Sequence, residues 1–326
     1  MIVNQVDHRT VRSALELATR APSVHNSQPW RWRIADRSVH LYADRARRLP
    51  ATDPDGRDWI LSCGAALHHL RIALAASGIA ASVRRIPNPS EPDHLAALQL
   101  HDRAPDACDI RLATAITARR TDRRRYGPWP VPEVFVAELV QRAAEQGAVL
   151  EAVTGPDARA FVIDSIRDAE QSQHHTLGYR VETTLWSGQR AGDDGVPAAN
   201  LLRHGSTSAT DLARRYSNGM VEQADTDRDH AQLMVLGSAS DDTLSRLRVG
   251  EALSAVLLHA TDLGLATCPL SQPLEVPAVR DALRDELLGG RMDAQLILRI
   301  GWAPRGQVLP ATPRRLLSEQ IDRFGQ

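Results

Sequence analysis

The spacing of apolar residues divides the chain into helices separated by short strands. Apolar side chains recur every three or four residues in several segments, which predicts amphipathic helices. These segments are 11–20, 110–119, 132–145, 157–173 and 276–287. Two longer segments, 59–77 and 246–263, are predicted as strongly apolar helices. The first is apolar on most sides of the helical wheel, so we expect that helix to be buried.

Strands are predicted where large apolar residues alternate with polar ones. They are 30–34, 39–42, 81–86, 95–100, 149–153, 233–237 and 295–300. Because helices and strands are mixed along the chain, the predicted fold class is α+β. Residues 174–230 show little apolar periodicity and contain many glycines, which is typical of a lid or a partly disordered insertion.

The order of elements repeats along the chain. A long helix is followed by Gly78 and then by strands in the first part, and by Gly264 and then a strand in the second. We interpret this as two related modules in tandem, 1–108 and 109–326, the second carrying the lid-like insertion at 174–230. The alternative, that any two α+β modules look alike at this level of detail, stays open.

Composition excludes several classes of function. The chain has 326 residues and a formal net charge of −1. Its overall charge therefore gives no electrostatic attraction to nucleic acid or to an anionic membrane. Cys63, Cys108 and Cys268 are far apart and form no CxxC pattern, which argues against a disulfide framework or structural zinc. The sequence shows no signal-peptide pattern and no apolar run of membrane-spanning length, so we expect a cytoplasmic protein.

The loop after the first helix, Pro22 to Trp30, is unusually rich in polar groups. Pro22 ends the helix, because proline disfavours helical geometry in the residue before it. Ser23, Asn26 and Gln28 then offer hydroxyl and amide groups suited to a flat polar ligand or a phosphate ester. The alternative is a helix stop followed by an ordinary Asx-type turn.

A run of arginines, Arg119 to Arg125, follows the helix at 110–119. Guanidinium groups bind phosphate through paired, charge-assisted hydrogen bonds. Arg119 and Arg123 are four residues apart, so they would converge on one face if the helix continues. The alternatives are a solvated basic surface or a patch that reads nucleic-acid phosphates.

Four motifs, taken in this order, resemble those of the FMN-dependent nitroreductase family. The first loop is similar to the loop that contacts the flavin, and Arg119, Thr121 and Arg123 are similar to the phosphate motif, with Thr121 in place of the usual serine. The resemblance assigns these residues to the cofactor: Pro22, Ser23, Val24, His25, Asn26, Gln28, Arg119, Thr121, Arg123, Pro269, Leu270, Ser271, Arg314 and Arg315. Val24 departs from the family, which often has a second serine there. Length and tandem arrangement resemble the mycobacterial Acg-type nitroreductases.

The resemblance implies a fold and a function. Family dimers build two FMN sites at the subunit interface, so a fused chain is expected to keep one FMN and to act as a monomeric pseudo-dimer. Flavin N5 would take a hydride from NAD(P)H and pass electrons to a nitroaromatic or quinone-like acceptor. One alternative is a protein that sequesters or stores FMN under a lid with little turnover. Another is a stress-associated protein without a cofactor.

Histidines do not suggest a general base or a metal site. His25 could contact the flavin or the substrate, or serve the turn alone. His68 and His69 lie on a helix that should be buried, which favours a core role. His174 and His175 have no further ligand candidates nearby, so no metal is predicted there.

Overall fold

The computed structural model describes residues 7–188, 192–203, 212–226, 228–306 and 308–322. Its helices are α1 (His8–Ala18), α2 (Arg57–Ala76), α3 (Ala107–Ala118), α4 (Glu133–Ala144), α5 (Pro156–His174), α6 (Leu177–Leu185), α7 (Thr243–Asp262), α8 (Gln272–Glu275) and α9 (Pro277–Ala282). Its strands are β1 (Trp30–Ala35), β2 (Ser38–Ala43), β3 (Ile79–Arg85), β4 (His94–Asp102), β5 (Val149–Ala152), β6 (Ser187–Gly188), β7 (Val196–Pro197), β8 (Gln232–Ser238), β9 (Ala266–Leu270) and β10 (Asp293–Gly301).

Two antiparallel four-stranded sheets organise the fold. The first has the order β1-β2-β4-β3 and the second the order β5-β8-β10-β9. In each sheet the long helix, α2 or α7, connects the second strand along the chain to the third. The two sheets therefore share one connectivity, and the α+β prediction is confirmed.

The sheets differ in how their faces are covered. In β1 the residues alternate between buried and exposed, because helices pack on one face of the first sheet only. β8 and β10 are buried along almost their whole length. One face of the second sheet packs against α4 and α7, and the other against α5, α8 and the residues that follow α9. The second sheet therefore lies inside the molecule.

Helices α2 and α7 cross at two glycines in the centre of the molecule. A Cβ atom on Gly64 would lie 2.1 Å from the carbonyl oxygen of Leu247, and one on Gly250 would lie 2.1 Å from that of Leu61. The matching contacts show that the crossing is close to two-fold symmetric. Only residues without a side chain let the two backbones approach this closely.

The environment of α2 makes it a core helix. By length and composition it could cross a membrane, but 78% of its most apolar window is buried inside the protein. Glu251 of α7 is fully buried and pairs with Arg71 of α2 and with Arg85 of β3. These ion pairs connect α2 and β3, in the first part of the chain, to α7 in the second. Removing one partner of a buried ion pair is destabilising, because the remaining charge is left uncompensated.

The end of the chain returns to the first sheet. Ile321 forms a parallel bridge with Trp32 of β1, with the Trp32 amide donating to the Gln320 carbonyl over 2.7 Å. The Trp30 indole donates to the Gln320 side chain over 2.6 Å, and both tryptophans are fully buried. Residues 320–322 thus cover an edge that would otherwise expose unpaired backbone groups.

Most predicted elements lie within a few residues of their observed positions. The structure adds β9, which overlaps a segment identified only as a motif, and ends the long 276–287 helix early, in a π-helical turn at Leu283–Leu287. The described part of the 174–230 insertion contains α6 and two very short strands. The predicted boundary at 108/109 falls in the first turn of α3.

Candidate functional site

The loop after α1 holds an unusual backbone conformation. His25, Asn26 and Gln28 have φ values of 47°, 55° and 50°, in the left-handed region that side chains disfavour. Such residues cost about 1–3 kcal/mol each and persist where their surroundings fix them. The Asn26 amide donates to the carbonyls of Gly195 and Pro313, over 2.9 and 3.1 Å. Contacts from distant parts of the chain therefore hold this loop.

A cavity that is partly open to solvent lies between this loop, α2 and β9. It brings together nine of the predicted cofactor residues. They are Pro22, Ser23, Val24, His25, Thr121, Arg123, Pro269, Leu270 and Ser271. Leu61, Leu253 and Leu296 supply apolar walls. A partly apolar cavity with a few convergent polar groups is typical of a small-molecule site.

The arginine motif is not helical, so the condition under which Arg119 and Arg123 would converge on one helical face is not met. The helix ends at Ala118, and Arg119 has an extended ψ of 130°. Thr121 then forms a bridge with Thr267 of β9, and the Asp122 amide donates to the Thr267 carbonyl over 2.9 Å. Because pairing with β9 extends the chain here, Arg119 and Arg123 do not converge on one helical face.

Arg119 instead lines a second, smaller cleft together with Arg20, Arg120 and Arg314. Thr121 lines both the cleft and the cavity, so the two spaces are neighbours. Burial and the charge of Arg120 lower the pKa of Arg119 to about 10. Burial and the surrounding arginines lower the pKa of Arg314 to about 9.

The charges in this cleft are not balanced locally. Nε and Nη1 of Arg119 are buried and lack a hydrogen-bond partner in the described structure. No carboxylate is among the described residues that line the cleft. Arg314 donates to the carbonyls of Thr19, Arg20 and Ala21, which places its guanidinium at the end of α1. The donor set suits a dianion such as a phosphate ester.

Three predicted cofactor residues line neither space in the described structure: Asn26, Gln28 and Arg315. The Gln28 side chain accepts from the Arg315 amide over 2.9 Å and donates to the Asp193 carbonyl over 2.8 Å. These residues fix the loop and the C-terminal segment to each other. Their predicted contact with a cofactor stays a prediction.

Arg214 and Tyr216, from the insertion, were not predicted from the sequence and also line the cavity. Arg214 pairs with Glu275 of α8, donates to Tyr179 of α6 over 2.6 Å and to Ser271 over 3.3 Å. Burial by itself lowers the pKa of Arg214, but the negative charge of Glu275 holds that pKa well above its ordinary value. These contacts fix the described segment 212–217 as a wall of the cavity. The sequence around Arg214 and Tyr216 shows no apolar periodicity, so it gives no reason to predict these two residues at a site.

His25 joins the first loop to that wall. Its Nδ1 lies 3.1 Å from the Tyr216 hydroxyl, and its Nε2 lies 3.3 Å from the Thr52 hydroxyl. Burial, with the charges of Arg214 and Arg123, lowers the pKa of His25 well below its ordinary value. The ring is therefore neutral at pH 7 and serves as a hydrogen-bonding group.

Asp58 and Ser62 of α2 are two further cavity residues that sequence reasoning missed. The Ser62 hydroxyl donates to the Asp58 carbonyl over 2.6 Å and accepts from the Val24 amide over 3.3 Å. In the sequence, Asp58 is indistinguishable from the acidic residue common in the first turn of a helix.

Comparison with known proteins identifies the family. No protein-family model matches the chain. "Putative NAD(P)H nitroreductase Rv3131" of Mycobacterium tuberculosis is 44% identical over 321 residues, which is 97% of this chain and 92% of that protein. The chain belongs to the Acg-type nitroreductase family. "Putative NAD(P)H nitroreductase acg" of the same species is 37% identical over 318 residues, covering 95% of this chain and 94% of that one.

Solved structures of nitroreductases are more distant from this Acg-type chain. One is the FMN-dependent nitroreductase NfnB from Mycobacterium smegmatis in complex with NADPH, which is 18% identical. The match covers 66% of this chain and 98% of NfnB, with a TM-score of 0.41. A nitroreductase with bound FMN from Bacteroides fragilis is 15% identical, with a TM-score of 0.39 over 61% of this chain and 91% of that one.

Proposed function

We propose that this Acg-type nitroreductase is an FMN-binding oxidoreductase that uses NAD(P)H to reduce nitroaromatic or quinone-like acceptors. The observation that carries the proposal is the pair of spaces that share Thr121. One is an arginine cleft without a balancing carboxylate among its described lining residues, and the other is a larger, partly apolar cavity. FMN has the matching parts, a phosphate ester at one end and a flat ring at the other.

The residues present fit this cofactor. The buried, unpartnered Nε and Nη1 of Arg119 would donate to the phosphate, and Arg120 and Arg314 would add charge. Leu61, Leu253 and Leu296 offer apolar surface for the ring. FMN bound here would supply the hydride chemistry at its N5 atom.

The chain's own residues orient the reactants and control access. The first loop, β9 and segment 212–217 all contribute to the cavity lining. With a flavin bound, segment 212–217 would restrict the entry of water. Arg123 places positive charge at the cavity, which favours ligands that gain negative charge on reduction. The strongly lowered pKa of His25 makes its neutral ring a weak base, so no general base is assigned.

We also propose that two related modules, 1–108 and 109–326, form one site in a monomeric, cytoplasmic pseudo-dimer. The shared strand order of the two sheets and the near-symmetric crossing of α2 and α7 support this. The first module supplies the loop and part of α2, and the second supplies the arginine motif and β9. Since each motif occurs once in the chain, one FMN per chain is expected.

An alternative function is storage of FMN under a lid, with little turnover. The contacts of Arg214 and Tyr216 with three other parts of the cavity lining favour it, because they fix segment 212–217 in place. The two functions differ in whether NAD(P)H reaches the flavin.

Two measurements test these proposals. The visible spectrum of the purified protein, alone and after addition of FMN, should show a bound flavin; a colourless protein that takes up no FMN would refute both functions. Anaerobic stopped-flow mixing with NADPH or NADH then separates them. Bleaching of the flavin within seconds supports the reductase, whereas flavin that stays oxidised for minutes supports storage.

A further inference from the structure

Asp58 is a buried carboxyl group in the cavity without a structural role for its side chain. The residue is 6% exposed, and its Oδ2 atom has no hydrogen-bond partner in the described structure. A buried polar group left unpaired destabilises a protein, and the cost is larger when the group is charged. A group of this kind lining a cavity is suited to a ligand.

Helix capping does not explain Asp58. Asp53 already accepts from the amides of Arg57 and Trp59, each over 2.8 Å, at the start of α2. The carboxyl of Asp58 is thus not needed for the amides at this helix end. It lines the same cavity as the first loop and β9.

The charged groups that face Asp58 do not neutralise it. Asp53 precedes it and Glu275 faces it from α8, and both are acidic. The two nearby cations, Arg57 and Arg214, are already paired, with Asp241 and Glu275 respectively. His25, in the same cavity, is neutral.

The balance of these effects favours the un-ionised carboxyl. Burial, then the charges of Asp53 and Glu275, raise the pKa of Asp58 well above its ordinary value. The positive end of the α2 dipole opposes this only weakly. Ionising a buried carboxyl group that lacks a partner costs more free energy than the helix dipole returns, so Asp58 stays protonated.

The lining of the two spaces indicates which part of the ligand Asp58 meets. Asp58 lines the cavity and is not among the described residues that line the arginine cleft. It therefore faces the space in which the ring of FMN is proposed to lie, and not the space proposed for the phosphate.

We infer that Asp58 is a cofactor-binding residue that donates a hydrogen bond from its un-ionised carboxyl to an oxygen or nitrogen acceptor of the flavin ring. This deepens the proposed function and rests on FMN being the cofactor. The ring presents carbonyl oxygens and unprotonated nitrogens as acceptors. An ionised carboxylate at this position would instead repel the negative charge that the ring gains on reduction.

The test compares FMN binding by the full-length apoprotein and three variants at pH 7. Asp58→Asn keeps a donor of similar shape, so its dissociation constant should stay within about threefold of the unaltered protein. Asp58→Leu has no donor, and about tenfold weaker binding is expected. Asp55→Asn is the matched control, because Asp55 is exposed and lines neither space. Thermal unfolding checks that each variant folds.

Infrared difference spectra of the FMN-bound minus the free protein give a second readout. They should contain a protonated-carboxyl band that shifts on binding and is missing in Asp58→Asn. This measurement decides the matter if Asp58→Leu fails to fold. Unchanged affinity in a folded Asp58→Leu protein, or no such band, would overturn the inference while FMN binding stands. If the unaltered protein binds no FMN, the proposed function fails and the inference fails with it.

Discussion

Gly64 and Gly250 face each other where α2 crosses α7. A Cβ atom on Gly64 would lie 2.9 Å from the Cα atom of Gly250, and one on Gly250 would lie 2.8 Å from the Cα atom of Gly64. Each would also lie 2.1 Å from a backbone carbonyl oxygen of the other helix. Neither helix can therefore accept a side chain here without moving the other.

We expect Gly64→Ala to lower the free energy of unfolding by about 3 kcal/mol or more, because the added methyl group meets backbone atoms and not a flexible side chain. Urea denaturation measures the change. Gly178→Ala, on α6, is the matched control, since its nearest atom lies at 3.5 Å. That control should be neutral or slightly stabilising. Equal effects of the two substitutions would contradict the tight crossing.

Arg119→Met should weaken FMN binding about 10- to 100-fold, because a charge-assisted hydrogen bond to a phosphate contributes roughly 1.5–3 kcal/mol. Riboflavin, which lacks the phosphate, should bind both proteins equally. Fluorescence quenching of each flavin gives the affinities. Arg111→Met, on the exposed side of α3, is the control. If riboflavin and FMN lose affinity in parallel, Arg119 does not bind the phosphate.

Tyr216→Phe should speed the dissociation of FMN by about 2- to 10-fold, since it removes a hydroxyl that lies 3.1 Å from His25 Nδ1. The rate can be followed by trapping released FMN with an excess of a competing flavin-binding protein. Tyr42→Phe, on β2 and outside the cavity, should leave it unchanged. A dissociation rate that is the same in both variants would show that segment 212–217 does not retain the cofactor.

The stability of the protein should fall on acidification through His68. Burial, then the charge of Arg71, lower its pKa from 6.5 to about 3. In the unfolded chain His68 binds a proton below pH 6.5, whereas in the folded chain it stays neutral until the pH is near 3. The free energy of unfolding therefore decreases as the pH falls from 6.5 towards 3. The loss is at most about 1.4 kcal/mol per pH unit for this one group. His69, also buried, adds to it.

His68→Asn should reduce this acid dependence, because an amide does not titrate and can still hydrogen-bond to Ser254, which lies 2.7 Å from His68 Nδ1. Unfolding free energies of both proteins between pH 4.5 and 7.5 measure the slope. His101→Asn, at an exposed position on β4, should keep the original slope. An unchanged slope in His68→Asn would rule out the assigned role of His68.

The sequence predicts much of the fold because its regular elements leave a periodic signal. The buried helices α2 and α7 are recognisable from their apolar residues alone. β9 was missed because its short run, with Pro269 within it, looks like a loop by local criteria. Its pairing with β10 is a contact between distant parts of the chain, which no local pattern records.

The candidate site is predictable only in part, for the same reason. Motif order identified residues on the first loop, the arginine segment and β9, and the cavity unites nine of them. Arg214 and Tyr216 lie in a segment without periodicity, so only the folded chain shows them at the cavity. The helix end predicted at residue 119 lies within one residue of the observed end at Ala118, but the bridge between Thr121 and Thr267 that follows is a contact between distant residues, which no local pattern records.

The way the last residues hold the first loop has a consequence for biosynthesis. Asn26 and Gln28 are fixed by Pro313 and Arg315, and β1 is completed by Ile321. A ribosome makes these partners almost three hundred residues after the loop. The loop therefore cannot acquire these hydrogen bonds until residues 313–321 have been synthesised, so its conformation is fixed only after most of the chain has been made.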